Sequence, residues 1–163
     1  MRFSALFFGL VGALPALLLA CSGKSEPTPA VARGISWTVD GRAVTAATYQ
    51  SQVSSSTIEV SGASNAGAAS NGYIFLSMPK TVGTHAFGPG SAASGTYSTS
   101  TGTTAAVYYA GSVPGSGTVT GAGTIVVSEL TSSNIVGTFT FTGIDRNTGA
   151  AKSISNGQFN VGL

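Results

Sequence analysis

From Gly34 onward, apolar residues recur at every second position rather than at helical spacing, so the pattern predicts strands. The clearest local signal is Asp40-Gly41, suited to a two-residue hairpin because both central residues of a type I′ turn take positive φ. Such a turn pairs Val39 with Arg42, Trp37 with Val44, and Ile35 with Ala46. Ile35, Trp37, Val39, Val44 and Ala46 then share one face, and Ser36, Thr38, Ala43 and Thr45 the other. A slip of one residue would scramble that separation, so the register is well specified.

The same reasoning predicts a second hairpin, with Thr131–Asn134 as the loop between GTIVVSEL and IVGTFTFT. Leu130 then faces Ile135, Val126 faces Phe139 and Thr124 faces Phe141. The expected core face holds Val126, Leu130, Ile135, Phe139 and Phe141, leaving Glu129, Thr138 and Thr140 outside. A third hairpin turns at Arg146–Gly149 and brings Ile154 opposite Phe141. Beyond it, Ile154 is apolar on even numbering while Phe159, Val161 and Leu163 are odd. One inserted residue at Asn156-Gly157 restores the phase: a bulge with Gly in the left-handed region is favoured over a tight turn there.

Further strand candidates are Thr57–Gly62, Tyr73–Met78, Val82–Phe87 and Thr104–Ala110, with Asn71-Gly72 and Met78-Pro79 as boundaries. Gly88 to Thr103 is low in complexity and reads as a surface loop or an edge strand. Short strands joined by Gly-rich turns predict an all-β fold, a single antiparallel β-sandwich or barrel-like domain over residues 34–163. The pattern leaves sandwich and barrel both open.

Composition sharpens this picture. Charged residues make up 7% of the 163 residues, Gly is abundant at 23, and the formal net charge is +2. Disordered chains combine low hydrophobicity with high net charge, the reverse of what is seen. No Lys/Arg run exists, so no nucleic acid is expected as a partner.

The N-terminus follows a different rule. Met1-Arg2 precedes an almost unbroken apolar run from Phe3 to Ala20, and Cys21, the one cysteine, follows at once. A spanning helix needs about 20 apolar residues, and this run is shorter and holds Pro15. An ordinary secretory signal ends in a small-x-small site, but Leu18 is large. Leu18-Leu19-Ala20-Cys21 instead resembles the lipobox of bacterial lipoproteins. That resemblance implies residues 1–20 as a lipoprotein signal peptide, diacylglycerol on the Cys21 sulfur and cleavage before it. Residues 21–33 are polar, carry Pro27 and Pro29, and read as a flexible tether. Ser22, rather than Asp, follows the cysteine, which points to the outer membrane.

Four segments occur in order along the domain: WTVDGR at Trp37–Arg42, VGTHAFG at Val82–Gly88, GTFTFT at Gly137–Thr142, and ISNGQFNV at Ile154–Val161. Together they resemble the small β-rich lipoproteins of unknown function common in Bacteroidota, over roughly Ile35 to Leu163. The resemblance implies an outer-membrane lipoprotein on the periplasmic or the outer face. It brings no catalytic residues.

Little in the residues points to chemistry. His85 is the one histidine, and zinc wants three or four ligands, so no metal is expected. A triad would have to combine His85 with Asp40 or Asp145, and the chain has no G-x-S-x-G elbow and no S-x-x-K. Asp40, Glu129 and Asp145 read as solvated surface charge, and Asp145–Gly149 as an Asx-stabilised turn rather than a calcium loop. Tyr108 and Tyr109 are adjacent, so one ring enters the core and the other points outward, where it can stack on a sugar. Thr138, Thr140 and Thr142 place hydroxyls on an outer face. The expectation is a non-enzymatic binding or structural module of the cell envelope without cofactor. Its partners are the membrane, through Cys21, and a glycan or envelope protein. The alternatives are a lipid or glycan carrier with a barrel cavity and, behind it, a hydrolase.

Overall fold

A computed structural model describes residues 31–64, 71–88, 90–102, 104–112 and 119–163. The expected leader, Cys21 and the expected tether up to residue 30 lie outside the described residues. Those described are all-β, with strands β1 (Gly34–Val39), β2 (Arg42–Thr45), β3 (Thr48–Val53), β4 (Thr57–Ser64), β5 (Asn71–Pro79), β6 (Gly83–Ala86), β7 (Ser94–Thr101), β8 (Thr104–Ser112), β9 (Val119–Thr120), β10 (Ala122–Leu130), β11 (Asn134–Asp145) and β12 (Ala151–Gly162). Every pairing is antiparallel.

The main path runs β2-β1-β12-β11-β8-β7-β5-β4-β3. At β11 the sheet divides: Ile144 and Asp145 pair with β8, while residues 135–142 pair with β10, which carries β6 on its other side. The sheet curls into a half-barrel. Its end strands, β2 and β3, are consecutive in the chain, so Ala46-Ala47 ties one edge to the other. Ala47 N–H donates to the Ala63 carbonyl at 2.8 Å, and the Ser51 hydroxyl reaches the Gly162 carbonyl. The remaining choice between sandwich and barrel resolves toward the barrel.

Inside, the alternating positions meet in one core. Trp37 and Phe159, with Ile35, Ile58, Ile74, Leu76, Ile125, Ile135 and Ile154, are fully buried. Each such side chain contributes about 1.5–3 kcal/mol by leaving water. Phe139 stacks between Phe141 and Phe159, at ring separations of 6.4 Å on both sides. These side chains fill the space that the carrier alternative would keep for a ligand.

The first hairpin has the predicted register, with Trp37 opposite Val44 and Val39 opposite Arg42. Asp40 (φ 51°) and Gly41 (φ 75°) both take positive φ. The third hairpin places Ile154 opposite Phe141 as expected. In the second, Leu130 does face Ile135, but the pairing then shifts. Ser128 is an extra residue between the Glu129–Val136 and Val127–Gly137 pairs, and its hydroxyl donates to the Val136 carbonyl at 3.1 Å. Beyond this bulge the faces exchange. Ile125 and Val127 are the core residues, Val126 opposes Thr138, and Thr124 opposes Thr140.

The expected bulge in β12 is present, with its φ on the other residue. Against β11 the pairs go from Phe139–Gly157 to Phe141–Ile154, and against β1 from Ser36–Gln158 to Thr38–Ser155. Asn156, not Gly157, is left-handed, at φ 49°. Gly157 is needed for space: a Cβ there would lie 2.5 Å from the Phe139 ring. Thr140, skipped by the ladder, donates its hydroxyl to the Ile154 carbonyl at 3.0 Å.

Two strands depart from expectation. Ser94–Thr101, within the segment read as a loop or edge, forms β7 in the sheet interior between β5 and β8, because Gly95 and Tyr97 supply the inward positions. Thr48–Val53 has no apolar alternation and is mostly exposed. It is a strand because β4 offers it a complete ladder.

Substitution at the bulge separates its two requirements. Gly157→Ala should destabilise the fold by about 1–3 kcal/mol through overpacking. Asn156→Gly should stay close to the parent, while Asn156→Val should cost about 1–3 kcal/mol from backbone strain. Urea unfolding measures all three, and equal stability of Gly157→Ala and the parent would contradict the packing described.

Candidate functional site

The two poles of the half-barrel differ. Val31, just before β1, accepts a hydrogen bond from the Asn160 amide at 2.7 Å, and Leu163 is bonded to Ser133, so the start of β1 and the C-terminal residues share one pole. β1 then runs six residues, or about 20 Å at 3.3 Å per residue, to the Asp40-Gly41 turn at the other pole. A cleft of about 280 Å³ opens there.

Its walls come from β1, β2, β4, β5, β7 and β12. Val39 and Val44 form an apolar wall, while Ser64, Thr99 and Thr101 bring hydroxyls. Lys152 Nζ lies 2.8 Å from Asp40 Oδ2 and 5.6 Å from the centre of the Tyr108 ring. Tyr108 stacks on Tyr97 at 6.2 Å, and both rings are buried. The ion pair and the ring hold the ammonium in place. A lysine has three donors, and the pair with Asp40 occupies one. The Arg42 side chain, exposed on β2, has no hydrogen-bond or ion-pair partner among the described residues.

Protonation favours fixed roles. Burial raises the Tyr97 phenol above its ordinary 10.0, against a smaller lowering by the hydrogen bond with Thr99. The hydrogen bond to Asp40 raises Lys152 above 10.5, against a smaller lowering by burial. At neutral pH the cleft therefore holds a neutral phenol and an ammonium ion.

A family model described as a domain of unknown function (DUF6252) matches residues 34–161. The chain belongs to the DUF6252 family. No curated protein and no solved structure matches it. The match agrees with the resemblance to proteins of unknown function at that level. It runs from β1 into β12, so every residue of the cleft lies within the DUF6252 domain.

The candidates read from the sequence are dispersed over this domain. His85 Nε2 is 2.9 Å from the Thr81 carbonyl, and no hydrogen bond or ion pair among the described residues joins it to Asp40 or Asp145. Asp40 pairs with Lys152. Asp145 is buried rather than solvated: its Oδ1 accepts from Asn147 N at 2.8 Å and Thr148 N at 3.3 Å, forming the expected Asx turn. Glu129 is exposed as read, and Tyr108 turns inward while Tyr109 is half-buried on the other face. Thr138, Thr140 and Thr142 are exposed, although Thr140 uses its hydroxyl on the bulge. Among the described residues no group of three or more His, Cys, Asp or Glu could hold a metal.

Arg42, Tyr97, Thr99 and Lys152 were not singled out by sequence. Tyr97 and Thr99 sit in the stretch taken for a loop or edge. Lys152 meets Asp40 only because β12 pairs with β1, a partnership between distant segments that local pattern does not encode.

Both shifted groups hold their protons more tightly in the folded state. Their stabilisation is complete below the unfolded values of 10.0 and 10.5 and is lost as pH rises through the folded ones. Melting temperature should therefore be steady between about pH 8 and about pH 9.5 and fall above it. Tyr97→Phe should flatten part of that fall in thermal scans. An unaltered alkaline slope would count against a buried phenol at this position.

Proposed function

We propose that this DUF6252 protein is a non-enzymatic binding module of the outer membrane, anchored by lipid on Cys21 and presenting its mouth cleft away from the bilayer. The observation that carries the reading is the apolar run from Phe3 to Ala20 ending in Leu-Leu-Ala-Cys. Acyl chains bind a membrane by about 0.8 kcal/mol per buried CH₂, so several together make a lasting anchor.

The polar stretch of residues 21–33 suits a spacer. It joins the domain where β1 starts, and the cleft lies at the far end of that strand. Absence of catalysis is supported by the occupations of the reactive side chains: His85 on a carbonyl, Asp145 in its own turn, and Asp40 on Lys152. Ser22 after the anchor cysteine supports outer-membrane sorting.

Metabolic labelling with a clickable palmitate analogue tests the anchor. The full chain should take up label and partition with outer membranes. The Cys21→Ser chain should lose the label and keep its leader, seen as a larger intact mass. Label persisting in Cys21→Ser, or a parent chain that never takes it up, would overturn the reading.

A further inference from the structure

The cleft gathers three of the domain's few charged side chains. In a chain with only 7% charged residues, Asp40, Arg42 and Lys152 line one opening. Asp40 and Lys152 neutralise each other at 2.8 Å. Arg42 remains, so the opening carries one net positive charge, and its planar guanidinium is shaped to hold a carboxylate through two parallel hydrogen bonds.

The other walls specify more than an anion. Thr101 offers a hydroxyl that both donates and accepts, and the Thr99 hydroxyl keeps spare capacity beside its bond to Tyr97, which suits a ligand with hydroxyls of its own. Val39 and Val44 face the same space with C–H surface, as the ring carbons of a sugar require. At about 280 Å³ the cleft falls just under the roughly 300–1,000 Å³ of sites for drug-sized ligands. One ring fits it better than an extended chain. The receptor is also set in advance, since Lys152 is held between Asp40 and the Tyr108 ring, and Gly72 N–H donates to Ser64 at 3.0 Å.

We propose that the mouth cleft binds an acidic sugar, with Arg42 on the carboxylate, Lys152 and the two threonines on the hydroxyls, and Val39 and Val44 against the ring. The proposal rests on the reading of this chain as a binding module and names the class of its ligand. A uronic acid at the end of an envelope or extracellular polysaccharide has this chemistry.

The test is a titration of the full-length, ¹⁵N-labelled protein in detergent micelles with glucuronate, glucose, glucose 1-phosphate and acetate, followed through amide shifts. Glucuronate should move Gly41, Arg42 and Gly72 in a saturable way. Glucose and acetate should bind at least about tenfold more weakly, because each lacks half of the recognised groups. Arg42→Ala should weaken glucuronate about 10- to 100-fold, and Arg42→Lys should recover part of the loss. Equal binding of glucose 1-phosphate would fix the recognised feature as the anion-hydroxyl pair with phosphate as its source, overturning the carboxylate. Equal binding of acetate would overturn the sugar, and no saturable shift with glucuronate would overturn the whole proposal. Palmitate labelling is read separately, so a failed titration beside a labelled Cys21 removes the ligand and leaves the anchor.

Discussion

The extra residue in β12 is the constraint on which the remaining geometry depends. β12 is hydrogen-bonded along both edges, to β1 and to β11, so a single insertion at Asn156 changes the phase of two ladders together. Before it, Ile154 faces inward on even numbering; after it, Phe159 and Val161 face inward on odd. Without the insertion one half of the strand would turn its apolar side chains to water. Bulges also add local twist, which helps the sheet curl until β3 meets β12 and β1.

Much of this architecture was legible locally. Asp40-Gly41 fixed a hairpin because a two-residue turn leaves no freedom in pairing, and the change of phase between Ile154 and Phe159 announced an insertion. The Ser128 bulge was hidden because its neighbours, Ile125, Val126 and Val127, are all β-branched and apolar. Any of them fits a core position, so alternation could not say which faced inward. β7 was obscure for the opposite reason. Its inward positions are Gly95 and Tyr97 among serines and threonines, which leaves almost no contrast to read. The cleft lay deepest, since its walls are drawn from six strands and local periodicity says nothing of which strands meet.

The scarcity of charge gives the cleft its character. Over most of the surface, hydroxyl and backbone groups meet water, as on the outer row Thr138, Thr140 and Thr142. In the Lys152–Asp40 pair the ammonium is sheltered beside Tyr108 while the carboxylate faces water. The ion pair and Arg42 thus give the pole opposite the start of β1 its charge.

The pairing of β1 with β12 has a consequence for how the molecule is made. The first strand of the half-barrel finds its central partner only in the last, and β11, the other neighbour of β12, is itself late in the chain. Contacts so far apart in sequence form slowly, because a long loop must close before any reward is gained. A chain emerging N-terminus first could pair β3, β4, β5, β7 and β8 early, but the half-barrel could close only once β12 had emerged. Were the chain exported as the proposed anchor requires, late closure would leave the barrel open for its passage.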